Sequence, residues 1–535
     1  MNPLVPATRD SRRSRTHSYL QGVTSGLLAK VLPVAIGLWL TPFVLSRVGR
    51  EAFGLYALAS SVIAWLALLD LGLTPGLKAH LARKSAAADP ATTSRLVSST
   101  FFAQLGIALL VCLGGVAAAN VVPGMLSVSS ALAGEAALLV MLLAAAVAVS
   151  LATQSFNAVL VAHQHLQREN ISRLALVAVR AVVLVLLLRR GHSLTALGVA
   201  HLVAVALSSA LNVFWAFRLM PGLRVRPAAA SRADLKPIAS CGAWFSAGAA
   251  AGLLINGTDR IVAGKMISLE AVTVLSVTAG AYIFAEAALS QVINNARPAL
   301  GQLFGENRPA AVLRTYRQLV LGGAGLGLVA ASSIWAANKA FIEAWVGPAY
   351  YGGPLLDALL GLNCVLALAI LPNRAVLAAH LTVRPQTLAR LAEGALNLAL
   401  AVWLTARFGL AGVVLSTSLA ALGTSVWYLP RLTLRVLASD WRSLRDVYGR
   451  IALFAALLAP VAWMGRAAAD SLAGYPGAAA GALFSAAGGV LLLWATLLDP
   501  WVKSRLTLWV RSMLFDAPRA DAPRADGPLV GANAE

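Results

Sequence analysis

Charged side chains stand inside stretches of this chain that are otherwise apolar. The cations are Lys30, Arg180, Arg260, Arg297, Arg374 and Arg390, and the acids are Asp70, Asp259, Glu286 and Glu393. An ionisable group at the centre of a bilayer costs at least about 2.5–3.5 kcal/mol, so it normally faces protein or water. Guanidinium groups bind phosphate oxygens through two parallel hydrogen bonds and stay charged. The cations therefore predict binding of a phosphorylated ligand. The acids Asp70, Asp259 and Glu286 are candidates for coupling to a proton or Na⁺.

Two cations are the strongest candidates for a cavity. Lys30 lies about one turn before Pro33 in the first apolar stretch, too deep to reach the membrane surface easily. Arg180 lies in the middle of a later stretch. Both positions favour a side chain that faces an internal cavity rather than lipid.

The other candidates have structural alternatives. Asp259 and Arg260 are adjacent, so a local ion pair competes with a role in binding, and Arg390 is three residues from Glu393, a spacing that allows pairing on one helical face. Arg297 and Arg374 lie near helix ends, where anchoring to the membrane surface competes. For Asp70 the alternative is neutralisation by Lys78 or Arg83.

The elements that must position these side chains are long apolar segments. Stretches of about 20 apolar residues recur from Gly22 to Asp499, and this length matches a hydrocarbon core about 30 Å thick. The chain is 59% hydrophobic and only 12% charged, whereas soluble domains carry about 25% charged residues. Helices satisfy their own backbone hydrogen bonds in lipid. The sequence therefore predicts an all-α polytopic membrane protein with no soluble catalytic domain.

We predict about 14 transmembrane helices, near residues 22–46, 53–76, 96–119, 134–156, 173–188, 194–216, 238–258, 270–293, 317–339, 354–373, 387–406, 410–430, 450–468 and 477–499. The predicted order is a cytoplasmic segment (1–21), an N-lobe of six helices (22–216), a linker (217–237), a C-lobe of six helices (238–430), two further helices (431–499) and a partly disordered tail (500–535). The gapless likeness of 41–69 to 258–286 is weak and fits two repeated lobes.

Charge and cysteine usage narrow the class further. The formal charge of +21 comes from basic residues between apolar spans, which argues against nucleic-acid binding. Their distribution favours cytoplasmic N- and C-termini in a cytoplasmic (inner) membrane. Cys112, Cys241 and Cys364 are far apart, and the sequence suggests no disulfide framework, metal site, catalytic group or cofactor.

Four stretches resemble the Wzx-type polysaccharide transporters of the superfamily that includes MATE exporters and lipid II flippases. They are Thr-Pro-Phe-Val-Leu-Ser-Arg-Val-Gly-Arg-Glu-Ala-Phe-Gly-Leu-Tyr (41–56), Leu-Asp-Leu-Gly-Leu (69–73), Asp-Arg-Ile-Val-Ala-Gly (259–264) and Phe-Ile-Glu-Ala-Trp-Val-Gly (341–347). The resemblance covers about residues 20–500. It implies two six-helix lobes around a central cavity that opens alternately to each side, followed by two C-terminal helices.

The resemblance also implies a function. A flippase of this kind moves an undecaprenyl-pyrophosphate-linked oligosaccharide across the cytoplasmic membrane. Its headgroup enters a basic cavity while the lipid tail stays in the bilayer, and no covalent chemistry is needed. Membrane lipid, a polysaccharide polymerase and glycosyltransferases are the partners that this function suggests.

Three alternatives remain open from the sequence. A cation-coupled MATE drug exporter would need an acidic, apolar-lined cavity and usually twelve helices, so fourteen predicted spans together with Lys30 and Arg180 argue against it. A polytopic glycosyltransferase or ligase should carry acidic or histidine residues in a large outer loop, yet segment 120–133 has no ionisable side chain. A lipid II flippase shares the fold and is not separated by residues alone.

Overall fold

The computed structural model describes residues 9–84, 90–125, 128–472 and 474–498, together with residues 503, 504 and 507. Side chains are described from residue 36 onward, except at 83, 84, 122, 123 and 166. The side chain of Lys30 and most of the C-terminal tail therefore lie outside the described residues, and so do the predictions made for them.

Sixteen α-helices form the described part of the molecule. They are α1 (Arg9–Leu66), α2 (Leu73–Lys84), α3 (Pro90–Met125), α4 (Ala133–Ala162), α5 (Leu166–Arg189), α6 (Leu194–Leu219), α7 (Arg232–Asn256), α8 (Thr258–Met266), α9 (Leu269–Asn294), α10 (Arg297–Gly305), α11 (Pro309–Trp345), α12 (Pro354–Ala379), α13 (Val383–Gly423), α14 (Ser425–Val436), α15 (Arg442–Ser471) and α16 (Gly474–Thr496). Proline at the first position of α11 and α12 suits a helix start, because its missing N–H needs no partner there.

The all-α membrane architecture is confirmed. Twelve helical segments of the described chain are long and apolar enough to cross a membrane. The observed helices extend beyond the predicted ones at several ends, as in α11, which runs over 309–345 where 317–339 was expected. These extensions carry polar residues, so an apolar run marks the part of a helix that suits lipid and not the whole helix.

Two of the twelve segments reverse direction at a glycine. In α13, Gly409 has φ +55° and ψ −136°, and Ser416 donates a hydrogen bond of 2.7 Å to Asn397. A straight helix would separate residues 19 apart by about 28 Å, so α13 is a hairpin. In α1, Gly49 has φ +80° and ψ +175°, and residues 37 and 56 line one cavity. The count of about 14 spans stays a prediction, but both breaks fall between helices that it treats as separate.

Connectors contact one another in two groups at opposite ends of the bundle. At the first, called here the Gly49 end, Arg50 donates to the Ala349 carbonyl at 3.2 Å and the Lys265 ammonium donates to the Met125 carbonyl at 2.7 Å. At the second, called here the Asp234 end, Arg95 lies 3.3 Å from Asp234. Connectors at both ends of the bundle are what a chain that crosses the membrane repeatedly requires.

Glycines bring the first part of the chain very close to α7 and α9. A Cβ on Gly54 would lie 1.8 Å from the Leu269 carbonyl oxygen, and a Cβ on Gly242 would lie 1.8 Å from the Gly72 carbonyl oxygen. Gly54 lies shortly after the break at Gly49, and Gly72 lies directly before the start of α2. Helices α1 and α2 therefore touch the C-terminal part of the molecule near both ends.

Candidate functional site

Arg180 lies inside the bundle without an acidic partner. It is half-buried on α5, and its guanidinium donates a short hydrogen bond to the hydroxyl of Tyr56. Tyr56 lies on the second arm of α1, the part that follows the break at Gly49. The guanidinium carbon lies 5.4 Å from the centre of the Tyr56 ring. No carboxylate within the described chain pairs with Arg180, and the neighbouring His201 leaves Nδ1 without a hydrogen bond there. The site therefore carries an uncompensated positive charge.

A cavity of about 280 Å³ surrounds this charge. Its walls come from both arms of α1, from α5 and from α6, including Thr41, Phe53 and Leu197. The apolar walls reduce screening by water, so the guanidinium attracts an anion more strongly here than at the surface. The arrangement suits a phosphate group that enters between α1 and α5.

A larger apolar groove lies on the other side of α1. Its volume is about 850 Å³, and α9 and α11 supply most of its walls, among them Phe284 and Phe341. Gly37 and Thr41 line both this groove and the Arg180 cavity. An apolar chain and a charged group of the same ligand could therefore lie on the two sides of α1.

Three of the predicted residues share a third cavity. Asp259, Arg260 and Glu286 line a space of about 370 Å³ between α8, α9, α12 and α13. Arg260 donates to the Ser61 hydroxyl at 3.4 Å, and Asp259 leaves Oδ1 without a hydrogen bond among the described residues. The cavity thus combines two carboxylates with one guanidinium, in contrast to the cationic Arg180 cavity.

Arg374, Arg390 and Glu393 form a separate cluster. Glu393 is buried, accepts a short hydrogen bond from Ser425 and lies 3.8 Å from Arg374. Arg390 instead donates to the Gly248 carbonyl at 3.2 Å. The structure therefore pairs Glu393 with Arg374, whereas the three-residue spacing had suggested Arg390. Both arginines keep an Nε without a partner in the described chain.

Asp70 and Arg297 differ from the rest. Asp70 is buried and accepts hydrogen bonds from the Thr74 hydroxyl at 2.8 Å and the Gln104 amide at 2.7 Å. These bonds favour a structural role at the turn that joins α1 to α2. Arg297 is exposed at the start of α10, although it lies near enough to Arg374 to interact electrostatically.

The sequence interpretation missed a buried acid, Asp357. Its side chain is fully buried and accepts hydrogen bonds from Tyr282 at 2.9 Å and Asn338 at 2.7 Å. Arg466 of α15 lies 3.7 Å away, and the hydroxyl of Tyr351 donates to the same carboxylate at 3.1 Å. Burial raises the pKa of Tyr351 to about 12, so it remains a donor at neutral pH. The sequence feature that could have identified Asp357 is a single acidic residue among the apolar residues at the start of α12.

These features define the class of the protein as a multi-pass membrane protein with polar cavities inside a helix bundle. The fold is that of lipid II flippase and MATE structures. A structure of the lipid II flippase MurJ in an inward closed conformation superposes with a TM-score of 0.66 and 12% identity, covering 92% of this chain and 100% of that one. An inward-facing MATE multidrug transporter superposes with a TM-score of 0.62 and 15% identity, covering 78% and 98%.

Sequence comparison gives the family. Residues 19–301, just over half of the chain, match the polysaccharide biosynthesis protein family, and the chain belongs to it. The membrane protein EpsK of Bacillus subtilis (strain 168) is similar over 418 residues at 22% identity, which covers 77% of this chain and 82% of EpsK. The predicted resemblance to polysaccharide transporters is confirmed.

Proposed function

We propose that this protein is a flippase for an undecaprenyl-pyrophosphate-linked oligosaccharide in polysaccharide biosynthesis. The observation that carries the proposal is the unpaired Arg180 in its cavity beside α1. A half-buried cation in an apolar cavity, with no carboxylate partner among the described residues, is costly to keep unless a ligand neutralises it. A pyrophosphate supplies that charge, and the planar guanidinium suits its oxygens.

The neighbouring groove fits the lipid part of such a substrate. Undecaprenyl is a long hydrocarbon, and the groove of about 850 Å³ is lined mainly by apolar side chains of α9 and α11. Because Gly37 and Thr41 line both spaces, the pyrophosphate can reach Arg180 while the tail stays on the far side of α1. The ligand class thus follows from an apolar space that adjoins a cationic one.

The other predicted cations are proposed to contact the substrate at later stages of its passage across the membrane. Arg260, Arg374 and Arg390 would contact the headgroup as the cavity changes face, and Arg297 would guide it at the entrance. Lys30 remains proposed as a further cation of the cavity. In this mechanism the N-lobe (22–216) and the C-lobe (238–430) move relative to each other, with 217–237 as the linker and 431–499 as two additional helices.

An ion gradient would drive the conformational change that opens the cavity to the other side of the membrane. Asp259 and Glu286 are the proposed coupling residues, since Asp259 has an oxygen with no hydrogen-bond partner among the described residues, in a cavity that both residues line. Asp70 remains a third candidate, although its hydrogen bonds give it a structural role as well. Glycosyltransferases that build the substrate and a polymerase that consumes it are proposed partners, and both chain ends are proposed to be cytoplasmic.

Deletion and complementation test this function. A strain that lacks the gene should accumulate lipid-linked oligosaccharide on the inner leaflet and lose the surface polysaccharide. The intact gene should reverse both effects. If the strain keeps its polysaccharide but becomes sensitive to cationic drugs, the protein is a MATE-type exporter instead. If peptidoglycan precursors accumulate, the substrate is lipid II.

A further inference from the structure

A fourth cavity, distinct from those described above, lies between α2, α4, α5 and α6. Its volume is about 290 Å³, close to the lower end of small-ligand sites at roughly 300 Å³. All but two of its lining residues, Leu176 and Val205, are polar or charged. So many polar side chains beside the membrane spans α4, α5 and α6 are expensive unless they have partners. Some are structural: the Thr74 hydroxyl, for example, lies 2.8 Å from the side-chain oxygen of Gln154.

Other polar groups in this cavity have no partner among the described residues. The buried carbonyl oxygen of the Asn212 amide accepts no hydrogen bond there. Asn157 of α4 and the hydroxyls of Ser208 and Ser209 of α6 also line the space without side-chain hydrogen bonds to described residues. Amides and hydroxyls both donate and accept. This set of neutral groups is therefore complementary to a ligand whose own groups both donate and accept.

The charges in the cavity do not match a bare phosphate. Glu169 binds Arg173 directly, so their charges largely compensate each other. Lys78 remains, and burial lowers the pKa of its ammonium while Glu169 opposes that change. One remaining cation among many neutral donors and acceptors favours a hydroxyl-rich ligand over a polyanion.

The position of this cavity relates it to the Arg180 cavity. Leu176 lines both spaces and lies one turn from Arg180 on α5, which corresponds to about 6 Å along the helix. In a lipid-linked oligosaccharide the first sugar is bonded directly to the pyrophosphate. A pyrophosphate at Arg180 would therefore place that sugar next to the polar cavity.

We propose that the cavity lined by Asn157, Ser208, Ser209 and Asn212 binds the first sugar of the lipid-linked substrate. This inference rests on the proposed function and adds that the protein recognises a sugar as well as the pyrophosphate. The apolar groove, the Arg180 cavity and the polar cavity then bind the tail, the pyrophosphate and the sugar in the order in which the substrate connects them.

Binding to the purified full-length protein in lipid nanodiscs tests this assignment. The probes are undecaprenyl pyrophosphate without sugar and the same lipid carrying one N-acetylglucosamine or one galactose. The native protein should bind at least one sugar-bearing probe about tenfold more tightly than the bare lipid, since the sugar adds hydrogen bonds to unpartnered groups. Asn157→Leu and Asn212→Leu should remove that difference and leave binding of the bare lipid unchanged. Arg180→Ala should weaken all probes alike.

A milder pair of variants guards against misfolding. Ser208→Ala with Ser209→Ala removes only two hydroxyls and should reduce the preference for the sugar-bearing lipid. Ser155→Ala is the matched control, because Ser155 is fully buried on α4 but does not line the cavity. Equal binding of bare and sugar-bearing lipids by the native protein would overturn the sugar site but leave the proposed function in place. Absence of binding to every probe would instead contradict the proposed function.

Discussion

At the scale of single residues, the uncompensated charge of Arg180 is the feature that most needs a function. A cation that is packed among apolar helices and hydrogen-bonded to a tyrosine costs stability relative to a neutral side chain. Such a cost is expected where a ligand supplies the opposite charge. Tyr56 orients the guanidinium but does not neutralise it.

Replacement of Arg180 tests this role. Arg180→Ala should reduce restoration of surface polysaccharide in the deletion strain at least tenfold, and Arg180→Lys should retain part of the activity because it keeps the charge but not the planar fork. Arg189→Ala is the matched control, since Arg189 lies exposed at the end of the same helix. Normal polysaccharide with Arg180→Ala at native protein levels would exclude this residue from the substrate path.

A different residue, Asp357, should control stability. Asp357→Ala leaves Arg466 without its carboxylate and removes the acceptor of three hydrogen bonds, a type of change that costs about 3–5 kcal/mol. The unfolding temperature in detergent should fall markedly. Asp470→Ala should have little effect, because its pair with Lys339 is half-exposed and such pairs contribute about 0–1 kcal/mol. Equal shifts for the two variants would show that the buried cluster is not a structural centre.

The candidate site was only partly predictable from the sequence. Arg180, Asp259, Arg260 and Glu286 were identifiable because each interrupts an apolar run, and the structure places all four beside cavities. The contact between Arg180 and Tyr56 was not predictable, since it joins residues 124 apart on α5 and α1. Contacts between side chains of different helices depend on how the helices pack, and the order of residues along one helix does not predict that packing.

At the scale of elements, glycines determine how closely the helices approach. Gly72 and Gly242 face each other backbone to backbone, so any side chain at either position would separate α2 from α7. If the two parts of the molecule open and close alternately, this contact must form in each cycle. The close approach is therefore expected to matter for transport more than for membrane insertion.

Gly242→Val should hold α2 and α7 apart. We expect at least a tenfold loss of polysaccharide restoration, with the protein still present in the membrane fraction. Gly248→Ala on the same helix is the control, because nothing lies within 4 Å of a Cβ there. If Gly242→Val transports normally, close contact between α2 and α7 is not part of the cycle.

At the scale of the whole molecule, hydrophobicity and length were enough to predict an all-α protein that spans the membrane many times, because a bilayer imposes both on any span. The separation of 387–406 from 410–430 rested on Arg407, Phe408 and Gly409, and the hairpin breaks at that glycine. Short additional helices such as α2 and α8 were not predicted separately, since their breaks depend on packing of the backbone.

The distribution of basic residues predicts the orientation of the molecule in the membrane, and cysteine labelling can measure it. Single cysteines at exposed positions 190 and 349 should react with a membrane-impermeant maleimide added to intact cells after removal of the native cysteines. Cysteines at positions 226 and 308 should react only after the membrane is permeabilised, because these connectors carry the excess of Lys and Arg. The reverse pattern would invert the topology and with it the proposed direction of transport.

Lipid translocation by the purified protein in proteoliposomes measures the proposed activity itself. Undecaprenyl-pyrophosphate-linked N-acetylglucosamine and its galactose counterpart would be tested separately. Each would be placed in both leaflets, and the fraction accessible to an impermeant pyrophosphatase would be followed with time. The flippase mechanism predicts that the native protein makes the inner-leaflet pool of at least one probe accessible and that the Arg180→Ala protein does not. Identical accessibility with native protein, Arg180→Ala protein and empty liposomes for both probes would contradict it.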